Sequence, residues 1–393
     1  MQAMPEVSLG RFLRRTTDEV ILDAKSTYAT VGILSYGRGL FKRPPVTGAG
    51  TKYKSYFRIK EGEFIYSKLF AWEGALAVVP PEFDGMYVSQ EFPTFEIDDT
   101  IASTAYVSLL CEWEPMWQRV RTVEAGLGGR RKRVHLASLL RLTTPLPPLA
   151  AQRRIADLIG KISDALAAAT QVATLTERAR TAIRRELLSV NKSEWRPLGD
   201  LATIEAKLVD PKETRYQSMP HIGIDRIEAR TGRLLDLNTA RQDAITGGKY
   251  LFGRENVLYS KLRPELRKAA FPAIEGLCST DIYPLRPSPG LDPEFLLEVL
   301  LSDAFSNETT ARSAGTKMPR IGREGLLTIG VPAPQFAQQL QIRQLLAAFK
   351  ESRQASLGTA ELIRRLRVTL MSRLLSEADQ ISDSYDRLLA AVG

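Results

Sequence analysis

Two long stretches of the chain carry hydrophobic or small residues at alternating steps of three and four. In the first stretch, residues 151–190, these positions include Ile155, Leu158, Ile162 and Ile183. Proline is absent there, and alanine, leucine, arginine and glutamate, which favour helix, are abundant. Such spacing is typical of a helix with a coiled-coil seam. The pattern predicts one helix of about 40 residues, roughly 60 Å long at 1.5 Å per residue.

The second stretch repeats this spacing from Ile342 to Leu370. Its middle is more polar and contains Gly358, so we expect the helix to be weaker there. A helix of this length needs a partner along its surface. The simplest arrangement packs the two helices as an antiparallel pair, with globular domains at opposite ends. The alternative is two ordinary amphipathic helices, each folded onto its own domain.

The segments that precede the two helices show a different pattern. Short runs of β type, such as residues 63–66 and 256–259, alternate there with glycine and proline. This pattern predicts an α+β protein with two mixed α/β globular domains, residues 1–145 and 194–331. Each domain is followed by a helical region, residues 146–193 and residues 332–393.

The second half of the chain repeats the first at a separation of nearly 190 residues. The repeat preserves the order of its matches, which favours a duplication of whole domains over chance. The matches are Thr144-Pro145-Leu146-Pro147 with Gln152 and Ile155 against Val331-Pro332-Ala333-Pro334 with Gln339 and Ile342, Tyr66-Ser67-Lys68-Leu69 against Tyr259-Ser260-Lys261-Leu262, Leu9-Gly10 against Leu198-Gly199, Gly32-Ile33 against Gly223-Ile224, and Ser89 against Ser279.

Composition narrows the class of protein. The formal charge is +9 over 393 residues, which permits an acidic partner such as nucleic acid but does not identify one. Cys111 and Cys278 are the two cysteines, so no disulfide framework is expected, and a reducing cytoplasm is the expected compartment. The sequence shows neither a signal segment nor an apolar run of the roughly 18 residues that span a bilayer.

The common catalytic motifs are missing from the sequence. His135 and His221 are the two histidines, and neither has a cysteine or carboxylate at ligand spacing, which argues against a zinc site and a histidine-dependent triad. Gly248-Lys249 comes nearest to a phosphate-binding loop, but Asp243 and Tyr250 stand where that loop needs glycine and Ser or Thr. We therefore predict no catalytic residue and no metal site in this chain.

Clusters of basic and aromatic residues remain as candidate DNA contacts. Glycine-led basic loops precede the Pro-x-Pro segment in both repeats, and basic side chains on such loops can reach phosphates or base edges. In the repeated Tyr-Ser-Lys-Leu, the tyrosine and leucine are expected to be buried and the lysine exposed. The candidates are Lys42, Arg43, Lys52, Lys54, Lys68, Arg130, Arg131, Lys132 and Arg133 in the first repeat, and Lys249, Lys261, Arg263, Lys317 and Arg320 in the second.

Taken in order, the duplicated motifs resemble the specificity subunit of a type I restriction-modification system. The resemblance covers essentially the whole chain and implies two target recognition domains, each reading one half of a bipartite DNA site. It also implies that the long helices set the gap and dock two methyltransferase subunits, with restriction subunits in the full complex. S-adenosylmethionine, Mg²⁺ and ATP would then belong to those partners, with no cofactor in this chain.

The second repeat departs from the pattern at one place. Gln335-Phe336 replaces Pro148-Leu149, which leaves the start of the second long helix open. Two other functions compete with the resemblance. One is a DNA-modifying enzyme with an unrecognised active site, and the other is a coiled-coil scaffold that binds only protein.

Overall fold

The computed structural model describes residues 4–125, 133–189, 195–315, 317–376 and 385. The chain divides into two compact units: the first comprises residues 1–168 and 359–393, and the second comprises residues 169–358. Each long helix therefore gives one segment to each unit. The described helices are α1 (Thr104–Glu112), α2 (Glu114–Thr122), α3 (Leu136–Arg141), α4 (Leu149–Ser189), α5 (Leu198–Leu201), α6 (Thr214–Gln217), α7 (Pro293–Leu300), α8 (Asp303–Ala311), α9 (Arg323–Leu327) and α10 (Phe336–Ser376).

Short strands build the rest of the first unit. They are β1 (Glu6–Ser8), β2 (Leu13–Thr16), β3 (Glu19–Ile21), β4 (Thr27–Tyr28), β5 (Val31–Ile33), β6 (Leu40–Lys42), β7 (Val46–Thr47), β8 (Ser55–Arg58), β9 (Phe64–Tyr66), β10 (Leu76–Val78), β11 (Tyr87–Val88), β12 (Thr94–Ile97), β13 (Glu124–Ala125), β14 (Arg133–Val134) and β15 (Thr143–Pro145). Their main sheets have the orders β2-β12-β9-β10 and β3-β8-β11, and β1 pairs with β15.

The second unit repeats this topology. Its strands are β16 (Trp195–Pro197), β17 (Ala202–Ile204), β18 (Lys207–Val209), β19 (Pro220–Ile222), β20 (Asn238–Thr239), β21 (Lys249–Phe252), β22 (Val257–Ser260), β23 (Ala269–Ala270), β24 (Gly276–Cys278), β25 (Ile282–Pro287) and β26 (Gly330–Pro332). The sheet β17-β25-β22-β23 matches β2-β12-β9-β10, the order β18-β21-β24 matches β3-β8-β11, and β16 pairs with β26 as β1 does with β15. The predicted duplication and α+β class are confirmed.

A buried glutamine fastens the start of each long helix to its own unit. Gln152 Nε2 donates to the carbonyl oxygens of Ile101 at 3.0 Å and Pro147 at 2.8 Å, and its Oε1 accepts from the Ser103 N–H at 2.8 Å. Ser103 is the N-cap of α1, and its hydroxyl accepts from the Tyr106 N–H at 3.3 Å. The glutamine thus joins the beginnings of α1 and α4.

The second unit contains the same arrangement around Gln339. Its Nε2 donates to the carbonyl oxygens of Gly290 at 3.0 Å and Pro334 at 2.8 Å, and its Oε1 accepts from the Asp292 N–H at 2.9 Å. Asp292 is the N-cap of α7. Because α4 starts at Leu149 and α10 at Phe336, the two helices begin at equivalent positions in spite of the change from Pro148-Leu149 to Gln335-Phe336.

Segments of α4 and α10 run antiparallel inside each unit. In the first unit Arg367 Nε donates to Ser163 Oγ at 2.7 Å, and Ile155 and Ile159 share a core with Leu374. These helical residues also pack on the globular part of the unit, since Tyr66 and Phe95 belong to the same core.

In the second unit Arg180 Nε donates to the Leu346 carbonyl oxygen at 3.3 Å, and Arg353 pairs with Glu177 at 3.5 Å. Leu188 packs in the core that contains Phe295. Helix pairing is therefore confirmed within each unit, and in each unit the paired segments of α4 and α10 also pack on the globular part of that unit.

The seam between the helices differs from the predicted one at every second position. Ile155 is buried as expected, but Ile159 and Ala173 are buried where Leu158 and Val172 were predicted, and Val172 is 50% exposed. The buried positions still follow steps of three and four residues, but every second one lies one residue later than predicted.

Buried arginines explain part of this error. Arg180 and Arg184 of α4 are 3% and 4% exposed because they pair with Glu298 of α7. A seam that is predicted from apolar residues alone leaves out buried charged residues such as these. The predicted weak point at Gly358 does not interrupt α10, which is helical from Phe336 to Ser376.

None of the helices described is both long enough and apolar enough to cross a membrane.

Candidate nucleic-acid interface

In the first unit the end of β9 brings three charged side chains together. The Lys68 N–H donates to the Glu91 carbonyl oxygen at 2.9 Å, and the Val134 N–H donates to the Lys68 carbonyl oxygen at 2.9 Å. The Glu91 N–H in turn donates to Ser89 Oγ at 3.4 Å. These main-chain contacts place Lys68, Glu91 and Arg133 side by side, and we call these three residues the first cluster.

In the first cluster the Glu91 carboxylate holds Arg133, whereas a neighbouring carbonyl oxygen holds Lys68. Arg133 Nη2 donates to both oxygens of Glu91 at 2.7 Å. Lys68 Nζ donates to the Gln90 carbonyl oxygen at 2.7 Å. Burial lowers the pKa of Lys68; the negative charge of Glu91 opposes this shift, whereas the positive charges of Arg133 and Arg15 add to it. Positive charge is therefore concentrated at a partly desolvated site.

The second unit has a matching group at the end of β22. The Lys261 N–H donates to the Asp281 carbonyl oxygen at 3.0 Å, and the Ile321 N–H donates to the Lys261 carbonyl oxygen at 3.0 Å. The Asp281 N–H donates to Ser279 Oγ at 3.2 Å. We call Lys261, Asp281 and Arg320 the second cluster.

In the second cluster the carboxylate lies between the two cations. Lys261 Nζ is 3.4 Å from Asp281 Oδ1, and Arg320 Nε is 3.7 Å from the same oxygen. Lys261 Nζ also lies 5.6 Å from the ring centroid of Tyr283. Each of the three hydrogen bonds that join these segments in the first cluster has an equivalent here, so the two clusters occupy the same place in the duplicated fold.

The lysines of the Tyr-Ser-Lys-Leu repeat are less exposed than predicted. The side chain of Lys261 is 21% exposed, and Lys68 is also half-buried. The ammonium of Lys68 contacts a carbonyl oxygen and that of Lys261 a carboxylate oxygen. The sequence pattern does not reveal either contact. Tyr66 and Tyr259 are fully buried, as expected, but Leu69 and Leu262, which were also expected to be buried, are half-buried.

The other first-unit candidates lie on exposed strand and turn residues. The guanidinium of Arg43 lies 5.6 Å from the ring centroids of both Phe41 and Phe92. Lys42, Lys52 and Lys54 are exposed. Phe92 also lines a groove of about 120 Å³, together with Arg15, Thr16, Thr17, Phe57, Lys68, Gln90, Pro93 and Thr94. This groove extends from the first cluster towards Arg43.

The second-unit candidates divide into two groups. Arg263 and Lys317 are exposed and lie beside the second cluster, since the Arg263 N–H donates to the Pro319 carbonyl oxygen at 2.8 Å. Lys249 is turned back on its own loop, with Nζ 3.0 Å from the Gly247 carbonyl oxygen. Like those of Lys68 and Lys261, the ammonium of Lys249 therefore already has a local partner.

Three candidates, Arg130, Arg131 and Lys132, lie outside the described residues.

Sequence reasoning missed the acids that organise the clusters. Glu91 and Asp281 each follow by two residues the repeated serine, Ser89 or Ser279. The Ser-x-acid pattern was therefore present in both repeats and could have been found. His221 Nδ1 donates to Asp243 Oδ2 at 2.8 Å, a contact that folding creates between residues 22 apart in sequence.

Among the residues that the structure describes, no group of three or more histidine, cysteine, aspartate or glutamate side chains could hold a metal ion.

Comparison with solved structures identifies the fold. The HsdS subunit from Thermoanaerobacter tengcongensis aligns over 95% of this chain and 97% of its own length, with 17% identity and a TM-score of 0.51. A chain from a structure of complex assembly and conformational transition of the type I R-M system aligns over 95% of this chain and 98% of its own, with 17% identity and a TM-score of 0.64. The chain has the fold of a type I specificity subunit.

Further comparisons agree with that fold. The type I restriction-modification S subunit from M. genitalium aligns over 95% of this chain at 12% identity, with a TM-score of 0.51. The specificity subunit of the type I restriction enzyme EcoDI from Escherichia coli is 31% identical over 159 residues, 40% of this chain. That match spans 35% of the relative's length, and no protein-family model matches the chain. The resemblance to specificity subunits inferred from the duplicated motifs is confirmed.

Proposed function

We propose that this chain is the DNA-recognition subunit of a type I restriction-modification complex and has no catalytic site of its own. The observation that carries the proposal is the recurrence of one cation-acid-cation cluster at the same place in both units. A protein that meets two half-sites on one duplex needs two equivalent docking surfaces. The specificity-subunit fold over 95% of the chain supports the same function.

In this proposal residues 1–145 and 194–331 are the two target recognition domains. Residues 146–193 and 332–393 are the helical regions, which set the gap between the half-sites and dock two methyltransferase subunits. Restriction subunits join this assembly for cleavage. The seam residues support a role for the helices in spacing, because the polar contacts of Arg180 and Arg367 fix the register of α4 against α10 within each unit.

The proposed DNA contacts are basic side chains of both domains. Those on and around the two clusters would meet the sugar-phosphate backbone, while the more divergent strands and turns would meet base edges. The contacts proposed are Lys42, Arg43, Lys52, Lys54, Lys68, Arg130, Arg131, Lys132, Arg133, Lys249, Lys261, Arg263, Lys317 and Arg320.

Chemistry is assigned to the partner subunits. S-adenosylmethionine would bind the methyltransferase subunits, and ATP and Mg²⁺ would serve the restriction subunits. A cytoplasmic location is part of the proposal, and the free, buried thiols of Cys111 and Cys278 are compatible with a reducing compartment.

Reconstitution tests the proposal. The full chain is mixed with its cognate methyltransferase, and complex stoichiometry, duplex binding at several salt concentrations and methylation are measured. We expect one copy of this chain with two methyltransferase subunits, salt-dependent binding and methylation of a split site. Failure to bind any duplex at low salt, even with that partner, would contradict the proposal.

Two other results of the same experiment would favour the competing functions. Cleavage or modification of DNA by the purified chain alone would favour an enzyme with an unrecognised active site. A stable protein complex with no DNA affinity would favour a coiled-coil scaffold.

A further inference from the structure

We infer that the first and second clusters form a duplicated phosphate clamp, which holds each half-site by its backbone and does not read its sequence. This inference rests on the proposed DNA-binding function and assigns one role to six residues: Lys68, Glu91 and Arg133 in the first unit, and Lys261, Asp281 and Arg320 in the second. In it the cations contact phosphate, and the two acids are positioning residues.

The geometry of each cluster is prepared before any ligand binds. Lys68 and Arg133 come from segments 65 residues apart in sequence, and the main chain of Val134 is hydrogen-bonded to that of Lys68 at 2.9 Å. The carboxylate of Glu91 then fixes the guanidinium through two contacts of 2.7 Å. Cations that are already held in place lose less conformational freedom when an anion binds.

Each cluster keeps hydrogen-bond donors that no described protein group accepts. A guanidinium has five N–H donors, and Arg133 directs one nitrogen, Nη2, at Glu91. An ammonium has three, and Lys68 Nζ has one contact, with the Gln90 carbonyl oxygen. The side chains of Arg133 and Arg320 are 46% and 50% exposed, so these donors reach solvent. Phosphate oxygens are acceptors only and match such a surface.

The presence of the same cluster in both units favours a phosphate group over a base edge as its ligand. A feature that is the same in both units cannot distinguish one half-site from the other. The sugar-phosphate backbone is what two different half-sequences have in common, and contacts to it carry no direct sequence information. The units differ elsewhere: β4 pairs with β7 in the first unit, whereas His221 of β19 is tied to Asp243 after β20 in the second. Sequence reading belongs to such divergent regions.

Single substitutions of the exposed arginines test the clamp in the full chain with its methyltransferase partner. Arg133→Ala and Arg320→Ala are compared with Arg14→Ala and Arg233→Ala, which remove equally charged, exposed arginines paired with Asp98 and Glu228 away from the clusters. Affinity is measured against salt concentration on the recognised duplex and on a duplex with both half-sites scrambled.

We expect Arg133→Ala and Arg320→Ala each to weaken binding by the same factor on both duplexes. The slope of log affinity against log salt should fall by about 0.9 for each phosphate that the variant no longer neutralises, and the two control variants should keep the wild-type slope. Arg133→Lys should restore most of the slope on both duplexes, because lysine binds phosphate as a point charge. This conservative variant also separates removal of the cation from misfolding of the unit.

Three results would overturn the clamp while leaving the proposed function standing. They are wild-type affinity and slope in Arg133→Ala and Arg320→Ala, a weakening confined to the recognised duplex, and a changed base preference in one half-site. If the wild-type complex binds no duplex at low salt, the proposed function itself is wrong and the clamp with it.

Discussion

Gln152 Oε1 accepts a hydrogen bond from the main-chain N–H of Ser103 at 2.8 Å, and so ties the start of a long helix to the N-cap of a helix in its globular domain. Gln339 makes the same contact with Asp292 at 2.9 Å in the second unit. The repeated glutamine is thus a structural residue that joins each globular part to its helix.

Replacing this glutamine should destabilise its unit. Gln152→Ala removes three hydrogen bonds of a fully buried side chain, one to a buried and two to part-buried main-chain groups. Because an unsatisfied buried group costs about 1–3 kcal/mol, we expect a decrease of about 3 kcal/mol in the free energy of unfolding. Gln339→Ala should cost a similar amount. Urea unfolding measures both, with the exposed Gln118→Ala of α2 as the control. Equal stabilities of Gln152→Ala and Gln118→Ala would contradict this role.

The buried charges of the second unit give another prediction. Glu298→Ala leaves Arg180 and Arg184 without their shared carboxylate, although both are nearly inaccessible. Breaking a buried pair in this way costs about 3–5 kcal/mol. The exposed pair Glu308–Arg312 on α8 is the matched control, and Glu308→Ala should cost less than about 1 kcal/mol. Calorimetry measures the loss of stability in each variant. Similar losses in Glu298→Ala and Glu308→Ala would show that Glu298 does not balance the buried charges of Arg180 and Arg184.

A pH-dependent stability contribution is expected from Asp243. Its pKa lies below the ordinary carboxyl value because of hydrogen bonds, first from His221 and then from Asn238. Since the folded-state pKa is depressed, the stabilisation is present above the unfolded-state value of about 3.9 and disappears as pH falls through the lower folded-state value.

The variant Asp243→Asn isolates this contribution. Wild-type protein should be more stable than the variant at pH 7, and the difference should shrink as pH falls below about 4. Urea unfolding at pH 7, 4 and 3 measures the difference at each pH. A difference that stays constant over this range would show that ionisation of Asp243 does not contribute.

The proposed spacer makes a geometric prediction. Removing seven residues from each of α4 and α10 shortens each helix by about 10 Å at 1.5 Å per residue, while keeping the heptad register. The preferred gap between half-sites should then shorten by about three base pairs at 3.4 Å per step. Both half-sites should stay the same. Selection from duplexes with randomised gaps measures this, and an unchanged gap would refute the spacer.

Much of this architecture was predictable because it depends on local patterns. The duplication preserves the order of its motifs, and the helix near residues 151–190 is observed as Leu149–Ser189. The burial of Arg180 and Arg184 was not predictable, because it depends on Glu298, more than 110 residues away in sequence. Apolar spacing therefore predicted the period of the seam but not its alternate positions.

The candidate site was predictable to a similar degree. Its cations stand out as basic loops and a repeated tetrapeptide, and the structure brings Lys68 beside Arg133 and Lys261 beside Arg320. The acids beside these cations, Glu91 and Asp281, were not singled out in the sequence. Their role depends on main-chain pairing between segments that fold together, which single-sequence patterns do not contain.

In the proposed function, two duplicated domains each read one half of a split DNA site. Sequencing of methylated positions in a host that carries this chain and its methyltransferase partner tests it most directly. We expect chain-dependent methylation within two defined half-sites that are separated by a gap of fixed length and unspecified sequence. Methylation of one continuous sequence, or no methylation that depends on the chain, would contradict it.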